Sequence, residues 1–319
     1  MDERYDVVVV GGGAAGLSGA LALSRARRSV LVVDAGEPRN APAGHVHNYL
    51  GREGIPPSEL LSIGREEVGG YGGRFHDGRV DGVERVDGGF RVDLAGSAPV
   101  LARRLLVTTG LVDELPDVPG VAELWGSDVL HCPYCHGWEV RDQPVGVLGS
   151  PMGVHQALMW RQWTEDVTLF LHTGPAPTEM EGQQLAARGI RVVPGTVDGL
   201  ELDAGRLCGI RLDGGTIVPR RALVVAPRFT ARAGVLAGLG LDPVPQEMNG
   251  HVVGSYVPAD PAGATAVPGV WVAGNVADLR AQVVVAAAAG LNTAAALNAD
   301  LIEEDVRLAV AAGSLAGAR

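Results

Sequence analysis

A short β-rich apolar run, residues 5–10, passes directly into Gly11-Gly12-Gly13-Ala14-Ala15-Gly16. Leu17, Ala20, Leu21 and Leu23 follow at helical spacing, and a second apolar run, residues 29–34, ends on Asp34. Strand, glycine turn, helix and strand form a βαβ unit, which demands a parallel sheet covered by helices. The turn satisfies G-x-G-x-x-G. Gly11 permits the tight bend, Gly13 lets the backbone approach a pyrophosphate, and Gly16 lets the helix pack close to the sheet. Ala14 and Ala15 open the helix, so a pyrophosphate would rest on backbone N–H groups at its N-terminus. Asp34 stands where a carboxylate holds ribose hydroxyls.

The design recurs. Residues 145–149 (VGVLG) are strand-like, a helix is expected over 153–164, and 167–171 (VTLFL) form the next strand. Residues 105–110 (LLVTTG) and 223–227 (LVVAP) resemble each other as buried strands, and 270–274 (VWVAG) form a last one. An Ala-rich helix is expected from Asp278 to Leu301. Residues 37–62 read as an irregular loop leading into a helix near Ser58, and 79–107 as a β-meander. Proline-containing joints at 115–120 and 242–245 suggest boundaries. The expected fold is α/β, with two Rossmann-like three-layer nucleotide-binding domains, the second inserted in the first. Residues 1–116 and 245–319 would form the FAD-type domain, and 117–244 an NAD(P)-type domain.

A chain of 319 residues can bury two cores. A formal charge of −11 argues against nucleic acid or an anionic membrane as the main partner. No basic stretch followed by an apolar signal segment opens the sequence, and the run 283–290 is too short to span a bilayer. A cytoplasmic location is the default expectation. Three cysteines there do not make a disulfide framework, so a close pair is catalytic or metal-binding.

That pair is Cys132-Pro133-Tyr134-Cys135, lying between the two glycine turns. Two thiols at this spacing can close a small ring, and one thiolate can resolve a mixed disulfide formed by the other. If the segment opens a helix, the helix terminus raises the thiolate fraction, and Pro133 suits a helix start. Half of a zinc site and inert structural thiols are the alternatives. Zinc needs two more ligands, whereas Cys208 is single and the histidines at 45, 47, 155, 172 and 251 are scattered, so no metal is expected. His136 adjoins the pair as a candidate proton acceptor, or as a mere hydrogen-bond partner of the helix start. Tyr134 and Trp138 bracket the cysteines, either as an apolar wall for a small substrate or as core packing.

Taken together, GGGAAG at 11–16, TTG at 108–110, CPYC at 132–135 and GVWVAGNV at 269–276 resemble the low-molecular-weight thioredoxin reductase family over nearly the whole chain. The resemblance implies a homodimer with FAD in the outer domain. It implies FAD contacts at Thr109, Gly110, Gly274, Asn275, Gln282 and Val283. It places Cys135 towards the flavin and makes Cys132 the interchange thiol. The loop at 40–50 corresponds to a flavin-contacting loop, with Asn48 as a hydrogen-bond partner and His45 and His47 towards the substrate side or simply solvated.

Several residues depart from an NADPH-dependent reductase. Pro151 stands in the second turn where the backbone must approach a pyrophosphate, and it removes a donor. Val154 replaces a small residue. No arginine follows strand 167–171 until Arg188, so bidentate recognition of a 2′-phosphate is absent. NADPH is therefore not expected, a divergent working turn being the alternative. His136 replaces an aspartate after the second cysteine, and Asn275 replaces the aspartate usual beside the flavin. CPYCHG with a degenerate second turn is similar to a branch of the family, the FAD-dependent dithiol oxidases of disulfide natural products such as gliotoxin and holomycin. That likeness implies oxidation of a small-molecule dithiol, or of a thioredoxin-like protein, with molecular oxygen as acceptor. The rivals are a reductase fed by NADPH, ferredoxin or another donor, and a non-catalytic flavin-binding sensor.

Overall fold

The computed structural model describes residues 3–317. Its first unit is built on a seven-stranded sheet. Arg4–Val10, Val30–Asp34, Arg74–Asp77, Val100–Val107 and Val270–Val272 run parallel, and Gly89–Leu94 and Val80–Val86 extend it antiparallel. The central strand is buried on both faces, hence its unbroken run of valines rather than an alternation. The helix Ala14–Arg25 covers one face and packs on the C-terminal helix Val283–Gly317. Their approach is too close for side chains: a Cβ at Gly290 would lie 1.9 Å from the Ala15 carbonyl oxygen.

The second unit repeats the plan with five parallel strands, ordered Arg191–Val193, Val167–Phe170, Val145–Leu148, Ala222–Val224 and Val129–Leu130. A three-stranded antiparallel sheet, Val197–Asp203, Arg206–Leu212 and Ile217–Pro219, packs over it. A four-stranded sheet marks the crossing between the units, with Leu111–Glu114 antiparallel to Arg228–Ala231.

Three expectations are corrected. Arg228–Ala231 already pairs with the first unit, and Ala233, Leu236 and Leu241 join its core. The chain therefore re-enters that unit ahead of the expected joint at 242–245. The second unit's helix stops at Trp160, short of 164. The C-terminal helix starts at Val283, not Asp278, because Asn275 donates to the carbonyls of Asp278 and Ala281 and so shapes the preceding residues into a turn. That helix also runs beyond Leu301, through residues of good helix propensity. Its stretch Val283–Gly313, which holds an 18-residue window of mean hydropathy 1.3, is long and apolar enough by length and composition to cross a membrane, unlike the octet 283–290 considered alone. In this fold Ala286, Ala294, Leu297 and Leu301 are buried in the first unit's core.

Candidate functional site: a cleft between a glycine turn and a disulfide

Gly11 takes φ +104°, and a Cβ there would meet the Thr108 carbonyl oxygen at 2.6 Å. Thr108 locks the bend by donating its hydroxyl to the Gly11 carbonyl at 2.7 Å. Asp34 Oδ1 accepts the Gly12 N–H at 2.9 Å. Gly13 is the N-cap of Ala14–Arg25, and no side chain caps that helix. Its first N–H groups therefore lack intrahelical partners. A Cβ on Gly13 would meet nothing within 4 Å. Open space in front of an uncapped helix terminus is what a diphosphate requires, and the residues fit a bound dinucleotide.

This terminus opens into a cleft of about 820 Å³ lined by both units. Gly11, Gly13, Ala14, Ala15, Asp34, Thr109, Gly110, Gly274, Asn275, Gln282 and Val283 all line it, as do Cys132, Cys135 and His136. Two expected residues do not. Gly16 lies beneath the turn, where a Cβ would be 1.9 Å from the Gly11 carbonyl oxygen, so its role is packing. Asn48 is spent elsewhere: its side-chain N–H donates to the Tyr134 carbonyl at 2.7 Å, tying its loop to the cysteine segment. Thr109 lines the cleft, but its hydroxyl donates to the Arg232 carbonyl.

Cys132 and Cys135 form a disulfide, with Cα atoms 5.3 Å apart. The helix that Cys132 caps, Pro133–His136, is a single turn, so its dipole contributes less than the sequence suggested. Both ring nitrogens of His136 are buried without a hydrogen-bond partner among the described residues. Burial pushes its pKa below the ordinary histidine value, the Glu139 charge opposing and His47 adding. The ring is a neutral base with an uncommitted lone pair at pH 7. His131 is likewise held low by burial, while its ring contacts the Val225 carbonyl. His47, on the cleft wall, bridges Glu53 at 2.6 Å and Glu139 at 3.4 Å. Tyr134 and Trp138 are 60% and 66% exposed, which removes the core-packing reading of both.

One arginine escaped the sequence reading. Arg39 lines the cleft, forms a two-point ion pair with Asp113 and donates to Asn275. Its partners lie far off in sequence, so no local motif signals them.

The second turn is closed. A Cβ on Gly174 would lie 2.6 Å from the Gly149 carbonyl carbon, so the loop after Val167–Phe170 rests on the turn itself. Pro151, Val154, Pro175, Pro177 and Glu181 are among the residues around the small hollow that remains.

A dinucleotide turn and a dithiol facing one cleft define a disulfide oxidoreductase, and residues 5–290 match the pyridine nucleotide-disulphide oxidoreductase family. The chain belongs to that family and is a flavin-dependent, thioredoxin reductase-like disulfide oxidoreductase. It is 31% identical to thioredoxin reductase tcpT of Claviceps purpurea over 291 residues, 85% of this chain and 86% of that protein. A probable thioredoxin reductase of Arthroderma benhamiae is 37% identical over 155 residues, 46% of this chain but only 38% of that longer relative. The crystal structure of HlmI superposes with a TM-score of 0.90 at 48% identity, covering 97% of this chain and 96% of that one.

Proposed function

We propose that the chain oxidises a substrate dithiol to a disulfide, with FAD as the bound flavin and molecular oxygen as final acceptor. Two thiol protons and two electrons leave the substrate, and oxygen departs as hydrogen peroxide. A substrate thiolate attacks Cys132, opening the Cys132–Cys135 bond. The second substrate thiolate then displaces Cys132, which closes the product disulfide and leaves the pair reduced. His136 accepts the proton of the incoming thiol. FAD, when bound, would supply the two-electron acceptor for the reduced pair.

One observation carries this reading: the disulfide and the unpartnered His136 ring line the same cleft as the uncapped glycine turn. The altered second turn supports operation without NADPH, since Pro151 removes a backbone donor there and the loop at Gly174 rests on Gly149. Exposed Tyr134 and Trp138 support a small dithiol or a thioredoxin-like partner at the cysteine face. The second reading, net reduction of a disulfide with electrons from NADPH, ferredoxin or another donor, draws on the thioredoxin reductase names of the relatives. Anaerobic mixing decides between them. A dithiol should bleach the visible flavin band while NADPH leaves it unchanged; rapid bleaching by NADPH would reverse the assignment. We also propose a cytoplasmic homodimer, the pairing supported by exposed Leu291, Ile302, Val306 and Val310 on the C-terminal helix.

A further inference from the structure

We infer that Arg39 is a further cofactor-binding residue, gripping the oxygen-rich ribityl–diphosphate stretch of FAD. This role depends on the flavin reading of the cleft and is indifferent to the direction of electron flow. Arginine carries five N–H donors. Nε–H and one Nη2–H go to the two Asp113 oxygens at 2.8 and 2.6 Å, and one Nη1–H goes to Asn275 Oδ1 at 3.2 Å. Two donors remain, one on each terminal nitrogen. Asp113 is only 8% exposed, whereas Arg39 is 30% exposed and lines the cleft. Asp113 lines the cleft as well, so the ion pair shows the cavity more of its cation than of its anion. The guanidinium lies 5.2 Å from the Phe229 ring centroid, which further restricts its plane.

Its position points to the same oxygen-rich segment. A Cβ on Gly274 would meet Ala15 Cβ at 2.9 Å, so Gly274 abuts the uncapped helix terminus. Asn275 follows directly, and Arg39 is bonded to Asn275. The other arginines of the cleft are placed differently. Arg79 is paired with Glu37, Arg232 donates to the Glu37 carbonyl, and Arg280 is exposed. The arrangement also accounts for asparagine at 275. Its amide donates to the carbonyls of Asp278 and Ala281 while accepting from Arg39, and an aspartate could not make the two donations.

The test follows flavin released from the holoenzyme on dilution, read by recovered flavin fluorescence, across a potassium chloride series. Arg39→Met should weaken FAD retention about 10- to 100-fold, the usual worth of hydrogen bonds to a charged group. It should also flatten the salt dependence, since a charge contact has been removed. Asp113→Asn keeps the guanidinium and removes its compensating charge, so retention should equal or exceed wild type. Wild-type retention in Arg39→Met overturns the assignment. So does a loss in Asp113→Asn as large as in Arg39→Met, because the pair would then be a structural brace. Should Arg39→Met fail to fold by circular dichroism, the wild-type salt series decides: release that rises with salt supports the contact, and release independent of salt overturns it.

Discussion

Two glycines of one turn should fail in opposite ways. Gly13 has φ −76° and ψ −172°, a conformation open to any residue, and a Cβ there points into empty space. Gly13→Val should therefore leave the folded chain within about 1 kcal/mol of wild type, the scale of losing a favourable N-cap residue. The added side chain occupies the volume a diphosphate needs. Pushing a diphosphate off two backbone N–H groups forfeits about 1.5–3 kcal/mol for each charge-assisted bond, which weakens FAD binding at least about a hundredfold. Gly16→Ala acts on the fold instead. Its methyl carbon would lie 1.9 Å from the Gly11 carbonyl oxygen, a backbone atom that cannot swing aside. Overpacking of this kind costs about 1–3 kcal/mol, and a backbone clash lies at the upper end. The assay is flavin content per protein after gel filtration, paired with thermal melts of flavin-free samples. Gly13→Val should emerge colourless and melt like wild-type apoprotein, and Gly16→Ala should melt well below it. A yellow Gly13→Val with wild-type retention, or a Gly16→Ala apoprotein as stable as wild type, would refute the division of roles within the turn.

His136→Gln should lower kcat/KM for a dithiol by about 10²- to 10⁴-fold, the usual contribution of a positioned base. The wild-type acid limb should fall below pH 6.5, because burial lowers the His136 pKa from that value, and it should be missing from the variant's profile. Stability should respond to the same shift: His131 and His136 bind protons less readily folded than unfolded, so urea midpoints should decline as pH drops below 6.5 and keep declining towards their folded pKa values. His131→Phe/His136→Gln should flatten that slope, and an unchanged slope counts against it. Ile302→Glu combined with Val306→Glu should convert a dimer to a monomer in light scattering, since both side chains are exposed apolar groups on the C-terminal helix; a dimer that persists removes that face from the interface.

The parts legible in the sequence are those set by local periodicity. A run of valines followed by a glycine turn admits few structures besides a buried parallel strand and a helix start, and Pro151 announced the altered second turn within its own motif. Contacts between distant residues were not legible. Asn48 sits in a loop at a position that invites a flavin contact, yet its side chain answers a carbonyl 86 positions away. Arg39 carries no local signal, because its meaning arises from Asp113 and Asn275, which only the assembled sheets bring to it. The early return at Arg228 escaped for the same reason. A four-residue strand has little pattern of its own, and pairing with Leu111–Glu114 decides its allegiance.

These long-range contacts also bear on how the two units work together. Three independent ties join the first unit's loop to the cysteine-bearing segment. Asn48 holds the Tyr134 carbonyl, His47 reaches Glu139, and Pro42 packs so tightly on Gly126 that a Cβ there would meet it at 2.8 Å. All three act on the side where Cys132 and Cys135 enter the cleft. Both cysteines line the cleft and are half-buried, and these ties hold the pair beside the glycine turn. A reductase drawing electrons through the second turn would have to seat a dinucleotide where Pro151 removes a donor and the loop at Gly174 rests on Gly149. Pro151 and the loop resting on Gly149 stand against that route, which supports the proposal that electrons enter from a thiol substrate.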